Sequence, residues 1–344
     1  MNEALRVALA YNLKRITPAH GGEHDEEAEY DGPSTIASIR DAIASHGHEV
    51  IDLEAGAGFV DAVIAARPDV VFNVAEGAGG RSREAQVPAL LEMLDIPYTG
   101  SDPACLVVTL DKAVAKAVLA KVGVRTPPSV VMMRGDEPLP EGFCFPVIVK
   151  PVAEGSSKGV LAASVATSEE QARERARATA SRYKQGALVE EYLPGREFTV
   201  AILGGAVLPP MEIVLVTGEE HPVYAFHHKL EPTHEVRYEA PARVPPELDR
   251  ELRDVARAAY EALGCRDVAR VDLRLDREGR VSFIECNPLP GLTPGWSDLC
   301  LIAESVGIGY RELIGRILEP ALARRRARRV AAARVDEEQL AFAL

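Results

Sequence analysis

Asp272, Glu285 and Asn287 are spaced so that one β-hairpin can bring three oxygen donors together. The segment VARVDLRLDREGRVSFIECN (268–287) alternates along two strands. On the first, Arg270, Asp272 and Arg274 share a face, while Val271, Leu273 and Leu275 take the other. On the second, Glu285 and Asn287 share a face. A two-residue loop at Glu278-Gly279 sets Asp272 directly opposite Glu285, and a four-residue loop leaves them diagonal on one face. A three-residue loop puts them on opposite faces, which a metal site forbids. Facing carboxylates repel by up to about 1 kcal/mol, and a cation between them removes the repulsion. Oxygen donors without sulfur or imidazole select Mg²⁺ or Mn²⁺ over zinc, and Mg²⁺ completes its shell with phosphate oxygens and water. Arg270, beside this cluster, can stabilise charge on a transferring phosphoryl or acyl group. The alternative is a solvated hairpin face on which Arg270 and Arg274 pair the acids.

A second feature suits phosphate. VIVKPVAEGSSKGV (147–160) reads as a buried strand ending in Lys150, then a loop of Gly155, Ser156, Ser157, Lys158 and Gly159. Glycines admit close backbone approach, and successive N–H groups with serine hydroxyls can hold phosphate oxygens. The loop lacks the GxxxxGK[ST] pattern of a Walker A motif, and a plain hairpin turn is the competing reading. Together with a Mg²⁺ hairpin, it makes a nucleotide site.

The elements that must position these residues fall into three stretches. RVALAY (6–11), HEVIDLE (48–54) and DVVFNVAEG (69–77) read as strands of a parallel, Rossmann-like sheet. Between the first two, STIASIRDAIASHG (34–47) is a helix with Ile36, Ile39 and Ile43 on one face. TLDKAVAKAVLAKVG (109–123) reads as one helix with Val114, Val118 and Val122 stacked, and 168–184 as another. Strands follow at 187–193, 196–205 and 207–216, then an amphipathic helix over 245–264 and the hairpin. The last helix, from Tyr310, is expected to kink at Pro320; its RRRARR run (324–329) reads as a solvated face. The polar stretch 12–32 is too long for an ordinary connection.

Composition sets outer bounds. The 344 residues are 47% hydrophobic and 26% charged, as in globular proteins of two or three domains. The formal net charge of −13 argues against nucleic acid as a partner. Five scattered cysteines form no CxxC pair, so neither a disulfide framework nor a zinc site is expected. No apolar run is long enough for a membrane span, and MNEALRVALAY lacks the features of a signal peptide. The expectation is a cytoplasmic protein.

Five ordered motifs resemble the ATP-grasp superfamily and, more closely, D-alanine–D-alanine ligases. They are LDKAVAK (110–116), FPVIVKPVAEGSSKGV (145–160), LVEEYLPGREFTV (188–200), ARVDLRLD (269–276) and FIECNPLPGLT (283–293). AEGAGGRSREAQVPALLEMLDIPYTGSD (75–102) adds the ligase-type end of the N-terminal domain, and the resemblance runs over 69–318. It implies an α/β chain: a Rossmann-like domain over 1–102, then two α+β domains over 103–186 and 187–330 that sandwich ATP, and a tail over 331–344. It implies that Lys112 and Lys150 meet ATP phosphates, that Ser157 sits in the phosphate loop, and that Ser156 lies near the first substrate. Glu190 would stand near the adenine amino group, Glu191 and Leu193 at the adenine hinge, Glu197 at the ribose and Lys229 beside the γ-phosphate. Arg270 would serve the reacting centre, Gly291 an oxyanion site, and Asp272, Glu285 and Asn287 two magnesium ions, with Mn²⁺ as a possible substitute. The implied reaction phosphorylates a carboxylate with ATP and lets an amine attack the acyl phosphate. The implied partners are small amino-acid-like substrates and a second copy of the chain, with neither nucleic acid nor membrane.

Departures fall on the amino-acid side. The GGxSxE-type signature of that family is absent from 11–32, although Glu23, Asp25, Glu26, Glu27 and Glu29 supply acids. Glu76-Gly77 stands where the family has His-Gly, Leu230 replaces a tyrosine, and Trp296 displaces Ser297 by one residue. Arg81 and Arg83 can bind a carboxylate, and His227 and His228 can contact phosphate or substrate. The pattern therefore supports an ATP-dependent carboxylate–amine ligase with an altered amino-acid pocket; a ligase joining an amino acid to a different small-molecule carboxylate or amine is an alternative. An ATP-grasp phosphotransferase and a silent ATP-binding module are the competing readings.

Overall fold

The computed structural model describes residues 3–16, 25–229 and 233–342. His20, Glu23, His24 and Leu230 lie outside them. The chain forms three sheets. The first is parallel, with β1 (Arg6–Tyr11) between β2 (Glu49–Glu54) and β3 (Val70–Asn73). Helix Pro33–Ser45 buries Ile36, Ile39 and Ile43 against it, as their spacing requires. The second sheet is antiparallel, of β4 (Ser129–Met132), β5 (Val147–Pro151), β6 (Val165–Ala166) and β7 (Ala187–Glu191) in the order β4-β7-β5-β6.

The third sheet holds β8 (Glu197–Leu203), β9 (Ala206–Val207), β10 (Met211–Leu215), β11 (Val236–Glu239), β12 (Val268–Leu275) and β13 (Val281–Asn287). Its order is β11-β10-β8-β12-β13, with β9 on β8. Phe198, Val200, Ile202, Val271 and Leu273 share a core with Leu252, Ala256 and Ala259 of helix Pro246–Ala262. The opposite face of β8 and β12 shares a core with the first sheet, where Ala201, Leu203 and Val268 cluster with Leu9 and Phe72. Helix Tyr310–Phe342 packs Leu313, Ile314, Ile317 and Leu318 into that core and continues across Pro320.

Four expectations change. The stretch 109–123 is two helices, Pro103–Leu110 and Lys112–Lys121, divided at Asp111. Asp111 caps the second by accepting from the Ala113 and Val114 amides. That helix buries Lys112, Ala115, Lys116 and Leu119, while Val114 and Val122 are exposed; the apolar stripe is not its inner face. The expected strand 207–216 breaks at Leu208–Pro210 into β9 and β10. The third strand ends at Asn73 rather than Gly77. The arginine run is not simply solvated: Arg324 Nη1 meets Asp267 at 2.8 Å and Arg325 Nη2 meets Asp69 at 2.5 Å. Both side chains lie against the body of the protein. Among the described residues no helix is long and apolar enough to cross a membrane.

Candidate active site

Asp272 and Glu285 do face each other across β12 and β13, and Arg270 faces Asn287. The route differs from the two-residue loop that the alternation suggests. Leu275 pairs with Val281, leaving the five residues 276–280 as the loop. Continued without interruption, that register sets Asp272 opposite Ile284 and turns Glu285 to the helix side. The ladder shifts between Asp272 and Leu273, and this bulge restores the facing pair. Packing records the switch: Val281 and Phe283 lie in the core beneath helix Pro246–Ala262, and so does Cys286, three residues beyond Phe283.

The even-numbered face of β12 carries the polar groups. Thr199 on β8 donates to Asp272 Oδ1 at 2.7 Å. Arg270 donates to both Asp272 oxygens at 3.0 and 3.1 Å and reaches Asp298 at 3.2 Å. Asn287 Nδ2 donates to Asp272 Oδ2 at 3.2 Å, and Arg274 pairs with Glu197 at 3.3 Å. Lys112 stands 3.2 Å from Glu285 and also donates to the Glu154 carbonyl. Burial pushes the Glu285 carboxyl up, but Lys112, Lys229, Lys150 and Arg270 outweigh it and hold it at about 2. The arginine pairing of the solvated-face reading is therefore present, but on a buried face with a lysine opposite.

Of these groups Lys112, Glu197, Asp272, Arg274 and Glu285 line one end of a cleft of about 760 Å³ between the second and third sheets. Its walls include ten of the expected nucleotide and metal residues: Lys112, Lys150, Ser157, Glu190, Glu191, Leu193, Glu197, Lys229, Asp272 and Glu285. Glu190 is 2% exposed and is gripped by two lysines, Lys116 and, at 2.5 Å, Lys150. Burial drives Lys116 down to about 8 although Glu190 opposes it. Glu191 accepts from the Cys144 amide at 2.8 Å. Lys229 stands 4.9 Å from the Tyr224 ring centre. Ser156 and Ser157 have φ of 50° and 56°, a left-handed pair that only a shaped loop imposes on side-chain-bearing residues.

Ser156 and Gly291 face a second cavity of about 570 Å³, walled also by Glu29, Asp31, Asn73 and Glu76. A third of about 440 Å³ lies between the two and is bounded by Glu76, Glu84, Lys112, Glu285 and Asn287. A side chain on Gly291 would come within 2.9 Å of Ser297 Oγ, which accepts from the Thr293 amide. Arg270 lines none of the three cavities and reaches the site through its acids.

Sequence reasoning named Glu29 only as one acid among five and left out Glu84, Lys116, Thr199 and Asp298. Lys116 was detectable, since it follows Lys112 by one helical turn. Glu29 was not, because nothing local separates it from the acids around it. Its carboxylate accepts from Arg83 Nη2 at 2.9 and 2.8 Å and from the Gly155 amide at 2.8 Å. Arg83 thus answers an acid of its own chain, and Arg81 likewise pairs with Asp111 at 2.7 Å. His227 and His228 both meet Glu235 at 3.1 Å. Burial pushes the Glu76 carboxyl well up, and Glu29 and Glu84 add to it. Burial and Glu29 likewise raise Glu84 to about 8.

The donor set at Asp272, Glu285 and Asn287 is all oxygen, drawn from adjoining strand positions, and fits a hard divalent ion. The family model for the D-ala D-ala ligase C-terminus matches residues 119–319. A D-alanine–D-alanine ligase of Acidiphilium cryptum is 36% identical over 322 residues, spanning 91% of this chain and all of its own. The uncharacterized protein y4sG of Sinorhizobium fredii is 38% identical over 296 residues, 83% of this chain and 86% of its own. In structure, a Bacillus anthracis D-alanine–D-alanine ligase complexed with ATP superposes with a TM-score of 0.74 at 23% identity, covering 94% of this chain and all of that one.

Proposed function

Since the chain belongs to the D-alanine–D-alanine ligase family and is an ADP-forming ligase of the ATP-grasp fold, we propose that its large cleft takes ATP and that its second cavity takes an amino-acid substrate. The reaction transfers the γ-phosphoryl group to a substrate carboxylate. An amine then attacks the acyl phosphate, forming the amide and releasing phosphate. The observation that carries this reading is the facing pair Asp272 and Glu285, set at the end of a cleft walled by Lys112, Lys150 and Lys229.

Glu190, Glu191, Leu193 and Glu197 wall the nucleoside end, and the lysines meet the phosphates. Asp272, Glu285 and Asn287 would hold Mg²⁺, which when bound offsets the charge between phosphate and carboxylate. Arg270, held by Asp272 and Asp298, adds a fixed positive charge behind the reacting groups. Ser156 and the Gly291 turn face the carboxylate side. Glu29 and Arg83 tie the Gly/Ser loop down over the junction, which keeps water from the acyl phosphate.

The test is turnover with ATP, Mg²⁺ and a panel of D- and L-amino acids. ADP, free phosphate and a condensed product should appear together, and Glu285→Gln should cut turnover by about 10²-fold or more. Undiminished turnover in that variant, or ADP without a condensed product on any pair, sinks the proposal.

A further inference from the structure

We infer that the second cavity and the third that adjoins it together select a substrate with two ammonium groups, an amino acid bearing a second amine on its side chain. The inference rests on the ligase reading and narrows its substrate class. Carboxylate oxygens of Glu29, Glu76 and Glu84 lie within 4.8 Å of one another. One guanidinium, Arg83, faces them, and its hydrogen bonds in this group go to Glu29. Among the described residues the carboxylates of Glu76 and Glu84 have neither a hydrogen bond nor an ion pair, and Glu84 is 7% exposed. Before a substrate arrives, burial favours the protonated forms of Glu76 and Glu84, and the nearest lysine, Lys112, is paired with Glu285; an arriving ammonium draws the proton off each acid and pairs with the carboxylate. Buried charge of that kind is costly unless a partner arrives. The α-ammonium of an amino acid supplies one positive charge, and a side-chain amine supplies the other.

A separate observation calls for a ligand in the adjoining space, which Glu29 and Glu76 also wall. Asn73 is 4% exposed and walls the second cavity with Glu29, Asp31 and Glu76. Its Oδ1 accepts from the Ala75 amide at 3.3 Å, but its Nδ2 has no partner. A buried amide donor left open calls for an acceptor, such as a carboxylate or carbonyl oxygen of the bound molecule. Acids for two amines and a donor for an acid together describe a diamino acid. A neutral side chain such as a methyl group leaves one of the acids unanswered, and that disfavours alanine here.

The experiment is calorimetric binding to the full chain with Mg²⁺ and ADP present. Alanine is compared with 2,3-diaminopropionate, 2,4-diaminobutyrate and ornithine, each as both enantiomers. One diamino acid should bind at least about tenfold more tightly than alanine, a difference of about 1.4 kcal/mol. Glu76→Gln and Glu84→Gln should each shrink that ratio below about threefold, while ADP binding by the same samples reports a folded nucleotide cleft. Alanine binding as tightly as every diamino acid overturns the inference. So does a preference that survives in the double variant. A Mn²⁺ titration that loses one equivalent in Glu84→Gln also overturns it, since the acids would then hold a metal ion. Binding preference without ADP release leaves the inference standing and removes the ligase reading, whereas turnover confined to neutral amino acids does the reverse.

Discussion

Glu190 shows how much one carboxylate can hold in place. It is 2% exposed and faces two lysines that are themselves buried, Lys116 and Lys150. Replacing it by glutamine strands both ammonium groups away from water. The expected loss is about 3–5 kcal/mol of unfolding free energy, read from the shift of a urea midpoint at constant slope. Lys116→Met should cost far less, within about 1 kcal/mol, because Glu190 keeps Lys150. The reverse order would mean that Lys116 rather than Glu190 anchors the group. At this scale the sequence was legible where local pattern carried the signal: alternation puts Arg270 and Asp272 on one face of β12 and Glu285 and Asn287 on one face of β13, and Lys150 stands near a strand end. Glu29 was not, since its meaning arises only when Arg83 and the Gly/Ser loop arrive from distant parts of the chain.

At the scale of elements, the hairpin that carries Asp272 and Glu285 depends on an irregularity. Five residues join β12 to β13, and by parity that loop alone turns Glu285 away from Asp272. Ile284 supplies the extra residue that brings it back, and it walls the cleft between the second and third sheets. Deleting Ile284 should therefore move Glu285 to the helix face and lower turnover by about 10²-fold or more. Deleting Glu278 from the exposed loop should leave turnover within about tenfold of the parent, because the bulge still sets the register. Equal losses from the two deletions would remove the bulge from the argument. The sequence carried a trace of it: the apolar positions Val281 and Phe283 give way to Cys286, a change of parity that strict alternation overlooks. The division at Asp111 was similarly hidden, because a valine stripe outweighed the lysines that the site draws inward.

Across the whole molecule, the apolar cores are shared unequally. The first and third sheets have one core in common, joined by Leu313, Ile314, Ile317 and Leu318 of the long helix and braced by Arg324 on Asp267. Met132, Val147, Val149 and Val189 of the second sheet form their own cluster with Ala172 and Ala176 of helix Glu169–Tyr183. Its ties to the rest are two small apolar clusters, one around Leu110 and Val152 and one around Val165 and Val223, and a set of polar contacts at the junction. The Lys112 amide donates to Val152 O, Arg83 to Ala153 O, and the Gly155 amide to Glu29. Apolar cores open cooperatively, whereas a few hydrogen bonds beside a water-filled cleft break singly. Hydrogen exchange should therefore show β4, β5 and β7 opening at lower free energy than β1, β8 and β12. Arg83→Ala should widen the gap by loosening the loop without touching the shared core. Added ATP and Mg²⁺ should narrow it, because a ligand held between the second and third sheets stabilises the state in which both are closed on it. Uniform protection across all three sheets would instead make the molecule a single cooperative unit, with no mobile wall beside the cleft.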